Sequence, residues 1–210
     1  MNHVDRIVKA LSYQFFPAQC VRCQNPGLPN LDICVDCKAG LPAAPKPKSA
    51  PHGRVYAGFA YAEPVDAMIQ GFKFNDQLHL GRLLARLALP VFADETPSAL
   101  IPIPLHRKRL RQRGFNQAAE LAKFWSRQYS IPVLPNALQR IRATAVQSTL
   151  PGNERLANVA GAFAAKGILP AHVALVDDVY TTGATCQAAA EALLQYGVKR
   201  VDVWCLARVL

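Results

Sequence analysis

The sequence predicts an α/β protein: a mostly parallel, twisted sheet with flanking helices, preceded by a small cysteine-rich module. Three observations predict it. From Arg54 onward, short apolar runs of strand length alternate with runs of helical periodicity, the pattern that produces a parallel sheet. Four of the six cysteines stand before residue 41 as two CxxC pairs. The 210 residues are 51% apolar and 18% charged, enough to bury a sizeable core and too apolar for a disordered or collagen-like chain.

The elements follow in order. Residues 1–41 hold an N-terminal helix and the cysteine module, with Val4, Ile7, Val8, Leu11 and Phe15 as the helical stripe. Residues 42–53 read as a linker, because Pro42 to Pro51 supplies four prolines and two lysines. The main domain is 54–210. In it Arg54 to Tyr61 predicts a strand, Val65 to Phe74 and Leu78 to Phe92 two helices, and Ala99 to Pro102 a short buried strand. A basic turn follows, then a helix from about Asn116 with Phe115, Ala118, Ala119, Ala122 and Trp125 on its apolar face. A strand is expected at Pro132 to Leu134 and a long polar loop at 136–160. The chain closes with a strand at His172 to Val176, a helix from Thr185 to Tyr196 ended by Gly197, and an alternating strand from Arg200 to Leu206. Cys186 and Cys205 fall inside this helix and strand and read as small core residues.

The longest apolar run, Leu83 to Ala93, carries Arg86 and Pro90 and is shorter than the ~18 residues of a membrane span. Asp5, Arg6 and Lys9 interrupt the N-terminal stripe, unlike a signal peptide. The expectation is a cytoplasmic protein, whose thiols stay reduced.

The net charge of +10 is concentrated: residues 101–155 hold ten basic and two acidic residues. Such a segment suits a polyanion such as phosphate, pyrophosphate or nucleic acid. Cys20-Val-Arg-Cys23 and Cys34-Val-Asp-Cys37 are separated by ten residues. Two such knuckles close a tetrahedral Cys₄ site for structural Zn²⁺ with no open position. Four unligated loop cysteines are the bland alternative, and a redox CxxC is disfavoured because neither pair follows a strand in a βαβ setting.

Val173-Ala-Leu-Val-Asp177-Asp178-Val-Tyr-Thr181-Thr182-Gly183-Ala184-Thr185 runs from a buried strand through a turn into a helix. Backbone N–H groups and threonine hydroxyls at a helix N-terminus ring a phosphate, and two carboxylates at a strand's carboxyl end accept hydrogen bonds from a sugar diol. Together they describe a site for a phosphorylated ribose. A well-capped helix would also place polar residues here, but capping uses one of them, not six. The GxxxxGK[ST] and GxGxxG patterns are missing.

LVDDVYTTGAT resembles the phosphoribosyl pyrophosphate motif of type I phosphoribosyltransferases. With Ile101-Pro-Ile-Pro-Leu105, Arg113-Gly-Phe-Asn-Gln117 and the Cys₄ knuckle, the chain resembles the ComF (ComF/GntX) family over nearly its whole length. The resemblance implies a type I phosphoribosyltransferase-like fold and phosphoribosyl pyrophosphate bound with Mg²⁺. Asp177 and Asp178 would be catalytic, holding the ribose hydroxyls, and Thr181, Thr182, Gly183, Ala184 and Thr185 would bind the 5-phosphate. Leu105, His106, Arg107 and Arg109 would lie at the pyrophosphate. The stretch Arg140 to Asn158 is similar to a loop that closes over substrate, with Gln147, Arg155 and Asn158 at positions typical of the family. The family's link is to natural transformation, with import of single-stranded DNA and use of DNA as a nutrient. The expected partners are therefore the sugar phosphate, single-stranded DNA and DNA-processing or uptake proteins. The resemblance leaves two activities open, a ligand-binding protein of DNA uptake and an active phosphoribosyltransferase of nucleotide or nucleobase metabolism, because no base-recognition element identifies an acceptor.

Overall fold

The computed structural model of the chain describes residues 18–74, 77–88, 96–142 and 161–210. The N-terminal stripe at residues 4–15 and the loop positions Gln147, Arg155 and Asn158 lie outside them. The chain divides into two compact units after Leu41.

In the first unit, two tight turns are closed by antiparallel bridges, Gln19 with Pro26 and Leu28 with Leu31. A five-residue helix follows, α1 (Val35–Ala39), whose N-cap is Cys34.

The second unit carries β1 (Lys48–Ala50), β2 (Gly53–Ala60), α2 (Val65–Phe74), α3 (Leu78–Leu87), β3 (Ala99–Pro102), α4 (Arg107–Arg113), α5 (Gln117–Tyr129), β4 (Leu138–Arg140), β5 (Phe163–Ala165), β6 (His172–Tyr180), α6 (Ala184–Gln195) and β7 (Arg200–Arg208). The main sheet has the order β1-β2-β7-β6-β3. Its β2–β7, β7–β6 and β6–β3 pairs are parallel, and β1 alone is antiparallel. Strands β4 and β5 form a separate antiparallel pair.

The centre of the sheet is where the sequence is most apolar. Val173 to Val176 of β6 are fully buried, as a strand covered on both faces requires. With a side-chain period of two, Val173 and Leu175 join Val201 and Val203 of β7 and Ala189 and Leu193 of α6 in one cluster. The opposite face carries Trp204, which meets Trp125 of α5 edge-on at 6.2 Å. Trp125 in turn donates its indole N–H to Ala85 O of α3 at 3.0 Å, which satisfies the one polar group of this buried ring.

Five expectations need correction. The proline-rich stretch is not wholly a linker: Lys48–Ala50 pairs with Gly53–Val55 and edges the sheet. Helix α3 stops at Leu87, before the predicted Phe92, because Ala88 has non-helical ψ. The basic turn is the helix α4, ended at Gly114 with φ +73° and Gly114 N–H donating to Leu110 O, the left-handed stop that glycine makes without strain. The predicted strand at Pro132 to Leu134 is one parallel bridge from Val133 to Leu100, and the long loop contains β4, whose partner β5 lies beyond it. Among the described residues no helix is long and apolar enough to cross a membrane.

At the amino ends of β2, β6 and β7 a single buried carboxylate ties three strands together. Asp202, 1% exposed, accepts from Arg54 N–H at 2.8 Å, Arg200 Nε at 3.3 Å and His172 Nε2 at 2.9 Å, with a second Arg200 nitrogen at 3.1 Å. Removing one partner of such a buried set strands the others. Asp202→Ala is expected to cost about 3 kcal/mol, lowering Tm by roughly 6–12 °C. Lys123→Ala, which loses only the exposed pair with Glu120, is expected to change stability by less than about 0.5 kcal/mol. Thermal unfolding followed by circular dichroism separates the two, and an Asp202→Ala Tm within 2 °C of the parent, as an order-of-magnitude bound, would count against the strand-tying role.

Candidate functional site

Strand β6 runs past the sheet core to Tyr180, which carries Asp177 and Asp178 to its carboxyl end. The strand period assigns Asp177 to the face of Val173 and Leu175, beneath α6, and Asp178 to the face of Ala174 and Val176. Their surroundings differ accordingly. Lys73 Nζ of α2 lies 3.0 Å from Asp178 Oδ1, the two side chains 19% and 13% exposed. Asp177 accepts the Asp178 main-chain N–H at 2.9 Å. Burial pushes the Asp177 carboxyl up to about 7; the charge of Asp178 adds to the rise, while the Asp178 N–H, Lys73 and Arg140 oppose it.

After Tyr180 the chain turns at Thr181-Thr182-Gly183 into α6. Gly183 is the helix N-cap at φ +82°, and a Cβ there would collide with the Tyr180 hydroxyl and ring. Only glycine combines that backbone with that contact. Thr182 Oγ1 accepts from Ala184 N–H at 3.4 Å.

These elements border a pocket of about 390 Å³, a size ordinary for a small-molecule site. Asp177, Asp178, Thr181, Gly183, Ala184 and Thr185 line it, with Leu105 and Arg109. Neither Thr182 nor His106 is among its lining residues. Arg107 begins α4, and Gln147 lies outside the described residues. The pocket thus brings together eight of the residues singled out from the sequence, drawn from two separate stretches.

The remaining wall was not identified as such from the sequence. Lys73, Arg113 and Arg140 line it. With Arg109 they make four cations facing two carboxylates. Arg109 and Arg113 are one helical turn apart on α4, while Arg111 between them is exposed. The i, i+4 spacing is the signal that could have divided the basic run in advance. Arg140 lies over the Phe163 ring at 5.5 Å, and burial lowers its pKa. Only a three-residue strand pairing brings it there, which the sequence does not advertise.

In the first unit Cys20, Cys23, Cys34 and Cys37 have sulfurs all within 4.8 Å of one another, and Cys23 and Cys34 sulfurs are 3.6 Å apart. Sulfurs 2.3 Å from one tetrahedral ion stand about 3.8 Å apart, so the donor set fits a metal ion such as zinc. Burial acts to raise the Cys20 thiol, yet the N–H groups of Cys34, Cys23 and Arg22 bring it down to about 6. Cys37 is pushed up to about 12 by the Cys34 side chain and by burial. A cation is what would let the crowded thiols ionise together. Cys186 and Cys205 are buried in the core as expected, 2% exposed each.

No protein-family model matches the chain. Among curated proteins it is 40% identical over 159 residues to competence protein F of Haemophilus influenzae, covering 70% of this chain and 69% of the relative. It is 33% identical over 209 residues to the DNA utilization protein YhgH of Escherichia coli K12, covering 91% and 90%. Competence protein ComFC of Streptococcus pneumoniae is 27% identical over 151 residues, covering 71% and 66%. Given identities above 30% across most of both chains, this protein belongs to the ComF family.

Proposed function

We propose that the chain binds phosphoribosyl pyrophosphate with Mg²⁺ in the pocket at the end of β6, on a type I phosphoribosyltransferase-like domain, and acts in natural transformation through the handling of incoming single-stranded DNA. The observation that carries the reading is the meeting, in one pocket, of Asp177 and Asp178, Thr181, the Gly183-Ala184-Thr185 helix start and four cations. The carboxylates suit a ribose diol, the α6 N-terminus suits the 5-phosphate, and Arg109 suits the pyrophosphate, with Arg113 and Arg140 adding positive potential. Mg²⁺ bound together with the ligand would supply neutralisation of leaving-group charge. The transformation role follows the competence and DNA-utilization names of the relatives. Contact with DNA phosphates would fall to outward cations such as Arg111, since Arg109 and Arg113 line the pocket.

A second reading, turnover, is favoured by the Asp177 carboxyl at about 7, a range typical of groups that hold and release protons near neutral pH. In it the C1–pyrophosphate bond breaks with its electron pair leaving on pyrophosphate, a nucleophile forms the new bond at C1, and the carboxylates stabilise the positive charge on the ring. The Cys₄ cluster is proposed to hold one structural Zn²⁺ that folds residues 18–41.

Replacing Asp177 and Asp178 together by Asn should weaken calorimetric binding of phosphoribosyl pyrophosphate with Mg²⁺ by about 100-fold or more, from two charged hydrogen bonds, while circular dichroism stays unchanged. Equal binding by the double variant would refute the assignment, and a competent host relying on that variant should lose transformation.

A carboxyl whose folded pKa lies above its unfolded value favours folding while protonated, and that contribution declines as pH rises from about 4 through about 7. Asp177→Asn should therefore be more stable than the parent at pH 8, by on the order of 1–3 kcal/mol, and no different near pH 4. Urea titrations at the two pH values decide this.

The full chain should contain one zinc by elemental analysis. Cys20→Ser should lose it and speed hydrogen exchange in residues 18–41 without changing exchange in β6 and β7; full zinc retention would exclude the cluster.

A further inference from the structure

We propose that Lys73 is the positioning residue of the acidic pair, set on Asp178 by a bracket that the Arg113-Gly-Phe-Asn-Gln117 segment builds between α4 and α5. The inference deepens the ligand-site reading given above and rests on it. Lys73 belongs to α2, far in sequence from every motif, yet its ammonium reaches Asp178 at 3.0 Å and lines the pocket.

The bracket is made of hydrogen bonds and a ring contact. Gln117 is 2% exposed, and a buried amide is stable only with both ends engaged. Its Nε2 donates to the Lys73 carbonyl, a long bond of 3.4 Å, and its Oε1 accepts from Arg113 at 3.2 Å. The Lys73 carbonyl is one of the last in α2, where no intrahelical N–H remains to bond it. Beside it the Phe72 ring packs on Phe115 at 5.8 Å. Asn116 caps α5 by accepting from Ala118 N–H at 3.0 Å and donates Nδ2 to the Ile103 carbonyl at 3.0 Å, fixing the loop after β3. One segment therefore ties the end of α2 and the loop beside the pocket to a single helix start.

The chemical consequence is orientation. One Asp178 oxygen is tied to Lys73, which leaves the other directed for a ligand hydroxyl, and the ammonium has further N–H donors to offer. The charged and titratable neighbours of the pair, besides Lys73, are Arg109 and Arg113 from α4, Arg140 from β4, Cys186 from α6, Cys205 from β7, Tyr180 on β6 and Tyr61 after β2.

The test uses the full zinc-loaded chain as wild type, Lys73→Met, Lys73→Arg and Gln117→Leu. Carboxyl-carbon NMR titration without ligand should show Asp177 moving upward by about one pH unit in Lys73→Met, with Lys73→Arg close to wild type. Calorimetry with phosphoribosyl pyrophosphate and Mg²⁺ should show about tenfold weaker binding in Lys73→Met, restored at least in part by Lys73→Arg, and a smaller loss in Gln117→Leu that does not add to the Lys73→Met loss. An unchanged Asp177 titration in Lys73→Met overturns the positioning role whatever the ligand does. Wild-type binding that Lys73→Met leaves intact overturns it too, with the ligand site standing. If the titration moves but wild type binds no phosphoribosyl pyrophosphate, the ligand-site reading falls and the ligand role of Lys73 with it.

Discussion

Two carboxylates on successive residues repel each other, and much of the second unit is arranged around keeping them together at the end of one strand. Successive strand positions face opposite sides of a sheet, so Asp177 and Asp178 draw on different neighbours. Lys73 approaches Asp178 from α2 at 3.0 Å; Asp177 sits beneath α6, raised to about 7 by burial and by Asp178. The repulsion is thus divided, one carboxylate neutralised by a cation and the other by a proton near neutrality. A pocket with this balance is lined by two carboxylates and four cations, the mixture of acceptors and positive charge that a sugar bearing several phosphates would meet.

How much of this was legible in the sequence depends on how local the determinant is. Strand β6, its turn and α6 form one continuous stretch, and the acidic pair, Gly183 and the Ala184-Thr185 helix start fall where the sequence puts them. The α5 stripe was legible because Ala118, Ala122 and Trp125 repeat at helical spacing, and all three are buried. Strands β1, β4 and β5 have three residues each, too few to show a period, and exist because a partner strand lies alongside. Arg140 and Lys73 were missed for the same reason: what brings them to the pocket is pairing or packing far along the chain. The basic run hid a helix because five cations in seven residues mask apolar periodicity.

That helix changes the meaning of the charge. Read as composition, the excess between residues 101 and 155 looks like one surface for a polyanion. In the fold Arg109, Arg113 and Arg140 line the pocket while Arg111 is exposed. Part of the basicity belongs to the small-ligand site, and only the remainder is available to a nucleic-acid backbone. A triple substitution of Arg109, Arg111 and Arg113 would therefore mix the two roles, and Arg111 is the residue that separates them.

The two ends of the sheet are built on opposite principles. At the amino ends Asp202 has its oxygens matched by Arg54 N–H, Arg200 and His172, a closed set with nothing left to bind. At the carboxyl ends the same sheet carries a carboxyl displaced to about 7 and a glycine turn at φ +82°. Local choices that cost stability are concentrated where they face a pocket, as expected for a site kept for a ligand rather than for folding. The Asp202 set at the far end ties β2, β6 and β7 together, and in the resulting register Asp177 lies opposite Cys205 of β7 while the acidic pair extends past β3, whose last pairing is Pro102 with Val176. The pocket's geometry is accordingly set in part from the opposite end of the strands, by residues that never meet what it holds.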